Sequence, residues 1–297
     1  MKIGLGTAQF GLDYGISNPL GKTPVAEVKR ILDDAAKNGV HAIDTAFLYG
    51  DSERVLGQCL GEHHSFHMIT KTPQYNKSLI TEEDAEQLKK VFHESLAKLK
   101  QSSLYGLLVH NADDLLVQNG AALWEAMNDI KNKGLVKKIG ASVYCARQID
   151  AILEKFPIDL IQLPINILDQ RLIRTGHLKK LKMHGIEVHA RSIFLQGLLL
   201  MDPHDLPDYF YSVQGHLRHY HESIRARNLS PVKAALGFVL NLDEIDAAIV
   251  GVAISAQLEE ILLENVNAAD INFSDFSNYA WSDENILDPS QWKVINK

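Results

Sequence analysis

The chain is poor in cysteine. Its 297 residues include Cys59 and Cys145 alone, with no Cys-x-x-Cys pair, which excludes a disulfide framework and implies a reducing compartment. Proline and glycine are sparse as well, at 9 and 19 residues, too few for a disordered or collagen-like chain. Long apolar runs are missing. The densest stretch, Ile193 to Met201, is broken by Gln196 and is far too short to span a bilayer. The opening MKIGLGTAQF has neither an apolar signal core nor a small-residue cleavage site, so a soluble cytoplasmic protein with no membrane partner is expected. Basic charge is not in excess. Lys+Arg number 30 against 37 Asp+Glu, a net of −7, which offers no basic face to nucleic-acid phosphates.

What is present is an alternation. Short apolar runs at Lys2–Leu5, His41–Asp44, His67–Lys71, Leu104–His110, Val136–Ser142, Leu160–Leu163, Ile186–Ser192 and Ala247–Gly251 read as strands. Helical periods lie between them. Thr23 and Pro24 are expected to open a helix with Val25, Val28, Leu32 and Ala35 on one stripe, stopped by Gly39. Thr81 opens another, with Leu88, Val91, Phe92, Leu96 and Leu99 inward. Further helices are expected near 51–61, 120–133, 145–155, 174–184, 213–228, 231–241 and 255–267. Parallel neighbours need crossovers, and eight βα units in about 250 residues is the usual size of a closed (β/α)8 barrel. No linker divides the chain. One α/β domain, a TIM barrel over 1–273, is expected, with a tail over 274–297 near its mouth.

Polar groups end most of the strands: Asp44, Lys71, His110, Ser142, Gln162 and Ser192. In a barrel those ends share one mouth, where active sites of this fold are built. Singly, Asp44 and Lys71 read better as a surface ion pair, Tyr49 as a packed aromatic and His110 as a strand exit. Together they suit proton transfer to a carbonyl oxygen. Asp44 and Lys71 end adjacent strands and can hold each other charged. A Lys71 ammonium beside Tyr49 is expected to lower the phenol toward working pH, and His110 can orient the oxygen.

The segment ILDDAAKNGVHAIDTAFLYGDSERVLGQCL resembles the signature of the aldo-keto reductases through Gly39, Asp44-Thr45-Ala46, Tyr49-Gly50, Ser52-Glu53 and Leu56-Gly57. ITKTP with Lys71, LLVHNAD with His110, GLVKKIGASVY with Ser142, IQLPINILDQ with Gln162 and Asn166, and RSIFLQGLL continue the resemblance in order. It implies a barrel that binds a nicotinamide dinucleotide and moves hydride to or from a small-molecule carbonyl or alcohol, whether aldehyde, ketone or sugar-like. Tyr49 would be the acid, Asp44 and Lys71 would tune it, and His110 would orient substrate. Ser142 and Gln162 would meet the carboxamide. Arg191, Ser192, Gly251, Ser255 and Gln257 are the other expected cofactor contacts. No metal is expected. A non-catalytic dinucleotide sensor or partner subunit on the same scaffold is the alternative. The ending ILDPSQW resembles members tied to bacterial surface-polysaccharide pathways.

The departures bear on the cofactor. Val143 stands where the family often has Asn, Arg191 where an aromatic commonly backs the nicotinamide, and no N-terminal hairpin precedes the first strand. The resemblance implies NADP(H), with NAD(H) not excluded. Yet the stretch Gly251 to Gln257 lacks the usual cations, Ile261 replaces a common Asn, and 234–292 holds no Lys or Arg. Ser255 is the one hydroxyl expected near a 2′-phosphate, and a preference for NADP(H) of less than about tenfold is expected. Gly4-x-Gly6-x-x-Gln9 lacks the third glycine of a dinucleotide-binding turn. The histidines 63, 64 and 67, and 216, 219 and 221, read as solvated faces. Trp281 and Trp292 read equally as mouth elements or as tail anchors.

Overall fold

The short apolar runs become eight strands, as a computed structural model describing residues 2–61, 63–266 and 276–292 shows. They are β1 (Ile3–Gly6), β2 (Ala42–Asp44), β3 (His67–Lys71), β4 (Leu104–Val109), β5 (Val136–Ser142), β6 (Leu160–Pro164), β7 (Glu187–Arg191) and β8 (Ala247–Gly251). All pair in parallel in chain order, and β8 closes on β1. The result is a single-domain (β/α)8 barrel. The expected boundary at 273/274 lies outside the described residues.

Helices wrap the barrel as α1 (Val25–Lys37), α2 (Ser52–Leu60), α3 (Glu82–Leu99), α4 (Ala121–Asn132), α5 (Ala146–Lys155), α6 (His177–Met183), α7 (Tyr211–Ala226), α8 (Pro231–Leu240) and α9 (Ser255–Val266). Their apolar stripes meet the outer faces of the strands in one large core. Two starts show how local chemistry sets a boundary. At α3, Thr81 Oγ1 accepts from the Asp84 amide while the Asp84 carboxylate accepts from the Thr81 amide, a reciprocal cap. At α1 the expectation needs correcting: Pro24 takes the capping position, and the Thr23 hydroxyl instead donates to the Ala253 carbonyl. No helix among the described residues is long and apolar enough to cross a membrane.

The barrel interior is a separate small cluster of Ala42, Ile69, Leu108 and Leu160. It has little room, since a Cβ on Gly106 would come within 3.0 Å of both Ile69 and Leu160. Side chains two positions apart share a face of a strand. Two residues beyond that apolar layer, the same strands deliver Asp44, Lys71, His110 and Gln162 to the mouth. At the other end of the barrel, Lys138, Tyr105 and His189 all hydrogen-bond to Glu187, and His67 stacks on Tyr105 at 4.1 Å.

The tail folds back. Trp281 donates its amide to the Leu168 carbonyl, and its ring lies 5.0 Å from His216. Trp292 packs edge-on to Phe210 at 4.8 Å, and the Tyr209 hydroxyl donates to the Asn285 carbonyl. Both tryptophans therefore anchor the tail. His216 bonds the Tyr279 carbonyl and His221 is buried, so these two are packed rather than on a solvated face.

Candidate active site

One cavity of about 480 Å³ opens at the C-terminal ends of the strands, within the usual range for small-molecule sites. Asp44, Tyr49, Lys71, His110, Ser142, Gln162, Arg191, Ser192, Gly251 and Gln257 all reach its wall. Of the expected contacts, Ser255 does not. Its amide and its hydroxyl both donate to one oxygen of Glu27, at 2.7 and 2.8 Å, because a carboxylate from α1 already caps the start of α9.

The floor is a buried ion pair. Lys71 Nζ donates to both carboxylate oxygens of Asp44 at 2.7 Å and to the Thr45 carbonyl at 2.9 Å. Gln162 Nε2 adds a further bond to Asp44 at 2.7 Å. The two charges are 2% and 3% exposed, so each needs the other. Behind them the signature residues buttress the strands. The Ser52 hydroxyl donates to Thr7 at the end of β1, the Thr7 hydroxyl donates to the Asp44 carbonyl, and Glu53 accepts from Thr70.

Tyr49 stands over this pair, its ring centroid 5.0 Å from Lys71 Nζ and 5.9 Å from the His110 ring, edge to face. The expected direction for its phenol is reversed. Burial and then the Asp44 carboxylate raise it above the ordinary tyrosine value, while Arg191 works to lower it. The Lys71 charge is committed to Asp44 and does not free the phenolate. Burial, and after it the charges of Lys71 and Arg191, push the His110 imidazole down to about 3, so the ring is neutral at working pH.

Two of the departures noted in the sequence, Val143 and Arg191, meet each other. The Arg191 guanidinium lies 4.2 Å from the Tyr144 ring centroid and donates to the Val143 carbonyl at 3.3 Å. The Val143 side chain is buried in the outer core, turned from the cavity. Among the described residues no carboxylate lies within 4.0 Å of Arg191. The loop after β7 carries left-handed backbone at Ser192, Leu195 and Gln196 as well as Gly197, strain of the kind that collects at functional sites.

The donor set suits a nicotinamide. Ser142 and Gln162 are register partners on β5 and β6, and Gln162 Oε1 is buried at the cavity without a partner. An orphaned acceptor beside a hydroxyl is what a carboxamide, donor and acceptor at once, satisfies. Sequence reasoning missed Thr7, Gln9, Tyr14, Tyr144, Gln196 and Ser290, which also line the cavity. Reading the exit of β1 as closely as those of the other strands would have found Thr7 and Gln9. No local signal marks Ser290, which the folded tail supplies.

A model described as the Aldo/keto reductase family matches residues 2–282. The chain belongs to that family. It is an NAD(P)H-dependent oxidoreductase of carbonyl compounds. It is 25% identical over 261 residues to the uncharacterized oxidoreductase YqkF of Bacillus subtilis (strain 168), covering 80% of this chain and 81% of that one. It is 27% identical over 188 residues to the NADH-specific methylglyoxal reductase of Escherichia coli (strain K12), covering 56% of each. Among solved structures, the holo form of aldo-keto reductase AKR11C1 from Bacillus halodurans superposes with a TM-score of 0.76 at 21% identity, over 94% of this chain and 92% of that one.

Proposed function

We propose that Tyr49 is the general acid of a carbonyl reductase whose substrate is an aldehyde, a ketone or a sugar-like carbonyl, and the general base of the reverse oxidation. The observation that carries this is the convergence of Tyr49, the Asp44–Lys71 pair and His110 on one cavity beside the orphaned Gln162 acceptor. The nicotinamide dinucleotide, when bound, supplies the hydride. Ser142 and Gln162 would hold its carboxamide, with Ser192, Gly251 and Gln257 further along the wall.

The chain's own residues handle the proton. A phenol raised above its ordinary value stays protonated at working pH, and its O–H donates to the substrate oxygen as negative charge gathers there. Neutral His110 offers a hydrogen bond to the same oxygen without competing for the proton. The Asp44–Lys71 pair fixes the floor under the Tyr49 ring, and Arg191 is the charge that favours the phenolate once the proton has left. Absorbance of the reduced nicotinamide, followed with a panel of aldehydes, ketones and aldoses, tests the reading. Turnover on at least one that disappears in Tyr49→Phe is expected. Tight dinucleotide binding without turnover on any would support a sensor instead.

A further inference from the structure

We infer that the substrate is an uncharged, polyhydroxylated carbonyl compound, whose hydroxyl-bearing chain runs past His110 into a second cavity lined by amides. The inference rests on the reading of the first cavity as the reductase site, and it names the substrate class for that site.

The second cavity, of about 610 Å³, adjoins the first, because His110, Tyr144 and Ser290 line both. Its walls are the loops after β3, β4, β5 and β6 together with the folded tail. A substrate whose carbonyl meets Tyr49 and His110 can therefore extend its chain along this wall.

The lining is polar throughout. Six side-chain amides contribute to it, on Gln74, Asn76, Asn111, Gln148, Asn285 and Gln291, and among the described residues no aliphatic side chain does. Several of these amides have a group to spare. Gln148 is buried and its Oε1 accepts from the Tyr144 amide at 2.7 Å, while among the described residues its Nε2 has no partner. Asn76 Oδ1 accepts from Asn111 at 3.0 Å; among the described residues the Asn76 Nδ2 and both ends of the Gln74 amide are free. An amide both donates and accepts, and so does a hydroxyl. A hydroxylated chain satisfies these groups, whereas an alkyl chain would leave them unpaired and find no apolar surface in return.

The charges turn an anion away. Arg147 is paired with Asp113 at 3.1 Å, and Arg171 with Asp169 at 2.8 Å and with Glu284 at 2.9 Å. Both guanidiniums of the second cavity are thus taken, and three carboxylates, Asp113, Glu284 and Asp288, line it beside them. Asp288 accepts from the Ser290 amide at 3.0 Å and from no cation within 4.0 Å among the described residues. Arg191, which has no carboxylate that close, lines the first cavity and not the second. A distal carboxylate or phosphate would find like charge and no free charged donor.

Initial rates of reduced-dinucleotide oxidation by the intact protein test this, with each aldose counted as its open-chain fraction. The kcat/KM ratio of xylose to pentanal is expected to exceed that of glyceraldehyde to propanal by at least about tenfold, since three carbons offer little to the second cavity. Glucuronate should fall at least about fivefold below glucose, and Asp288→Asn should narrow that gap. Gln74→Leu/Gln291→Leu should raise the xylose KM at least about fivefold and leave glyceraldehyde within about twofold, a split that a misfolded variant could not show. A ratio no greater for the five-carbon pair, or glucuronate reduced as well as glucose, would overturn the inference. Turnover of no aldehyde, ketone or aldose, with the dinucleotide still bound, would overturn the reductase reading itself, a distinct outcome.

Discussion

The two ends of the barrel each hold a lysine against a carboxylate, yet they are built to different purposes. At the N-terminal end, Glu187 receives Lys138, Tyr105 and His189, so both its oxygens are engaged, and among the described residues His189 Nδ1 is the buried atom of this group left without a partner. At the C-terminal end, Asp44 and Lys71 satisfy each other, but groups around them are left over: among the described residues, Gln162 Oε1 and His110 Nδ1 lack partners and Arg191 has no carboxylate within 4.0 Å. The difference is where the spare groups face: those at the mouth line the cavity and can meet a ligand, while the Glu187 group lines none of it. In this fold the mouth is the end where active sites are built.

The strongest way to break the contrast is Tyr49→Phe. It removes the proton and keeps the ring, so kcat should fall by roughly 10²–10⁴ while the dinucleotide Kd stays within about twofold. A single-turnover rate near wild type would rule out Tyr49 as the acid. Lys71→Met strands the buried Asp44 charge and should cost about 3–5 kcal/mol of stability as well as activity. Denaturant unfolding should show part of that stability return in Asp44→Asn/Lys71→Met, with activity still absent. Recovery of both would mean the pair has no part in the chemistry.

Glu187→Gln probes the other end. Burial raises the Glu187 carboxyl, but bonds from His189, Lys138 and Tyr105 outweigh it and hold it at about 2. A depressed acid contributes stability above its unfolded value of about 4.5, and the contribution is lost as pH falls toward 2. The variant should therefore lose about 3 kcal/mol near neutrality and show a flatter acid limb, with kcat within about twofold of wild type. A large kcat loss would erase the division between the two ends.

The smallest effect concerns His110. Its folded value near 3 lies below the ordinary 6.5, so the unfolded chain binds the extra proton and stability falls as pH drops from about 6.5 toward 3. His110→Asn should flatten that slope. The kcat profile between about pH 5 and 8 should carry no limb from this residue, and a wild-type limb there that vanishes in His110→Asn would show the ring titrating in the site.

The order of strands and helices, and the residues of the floor, are legible in the sequence alone. Apolar period and polar strand exits are local signals, and a closed parallel barrel turns every strand exit toward one mouth. Tyr49 lies in a loop where period says nothing; its nearness in the chain to Asp44 suggests it, and the resemblance to a known family then names it the acid. Three things are decided by tertiary structure alone. The direction of the Tyr49 phenol depends first on its burial and then on the nearby Asp44 carboxylate, and both are set only when the strands and the loop after β2 come together. The loss of Ser255 from the cavity depends on Glu27, 228 residues away in the chain. The role of the two tail tryptophans depends on His216 and Phe210, which meet them only after the chain folds back. Electrostatics and packing act through distance in space, and sequence records that distance only where neighbours along the chain are also neighbours in the fold.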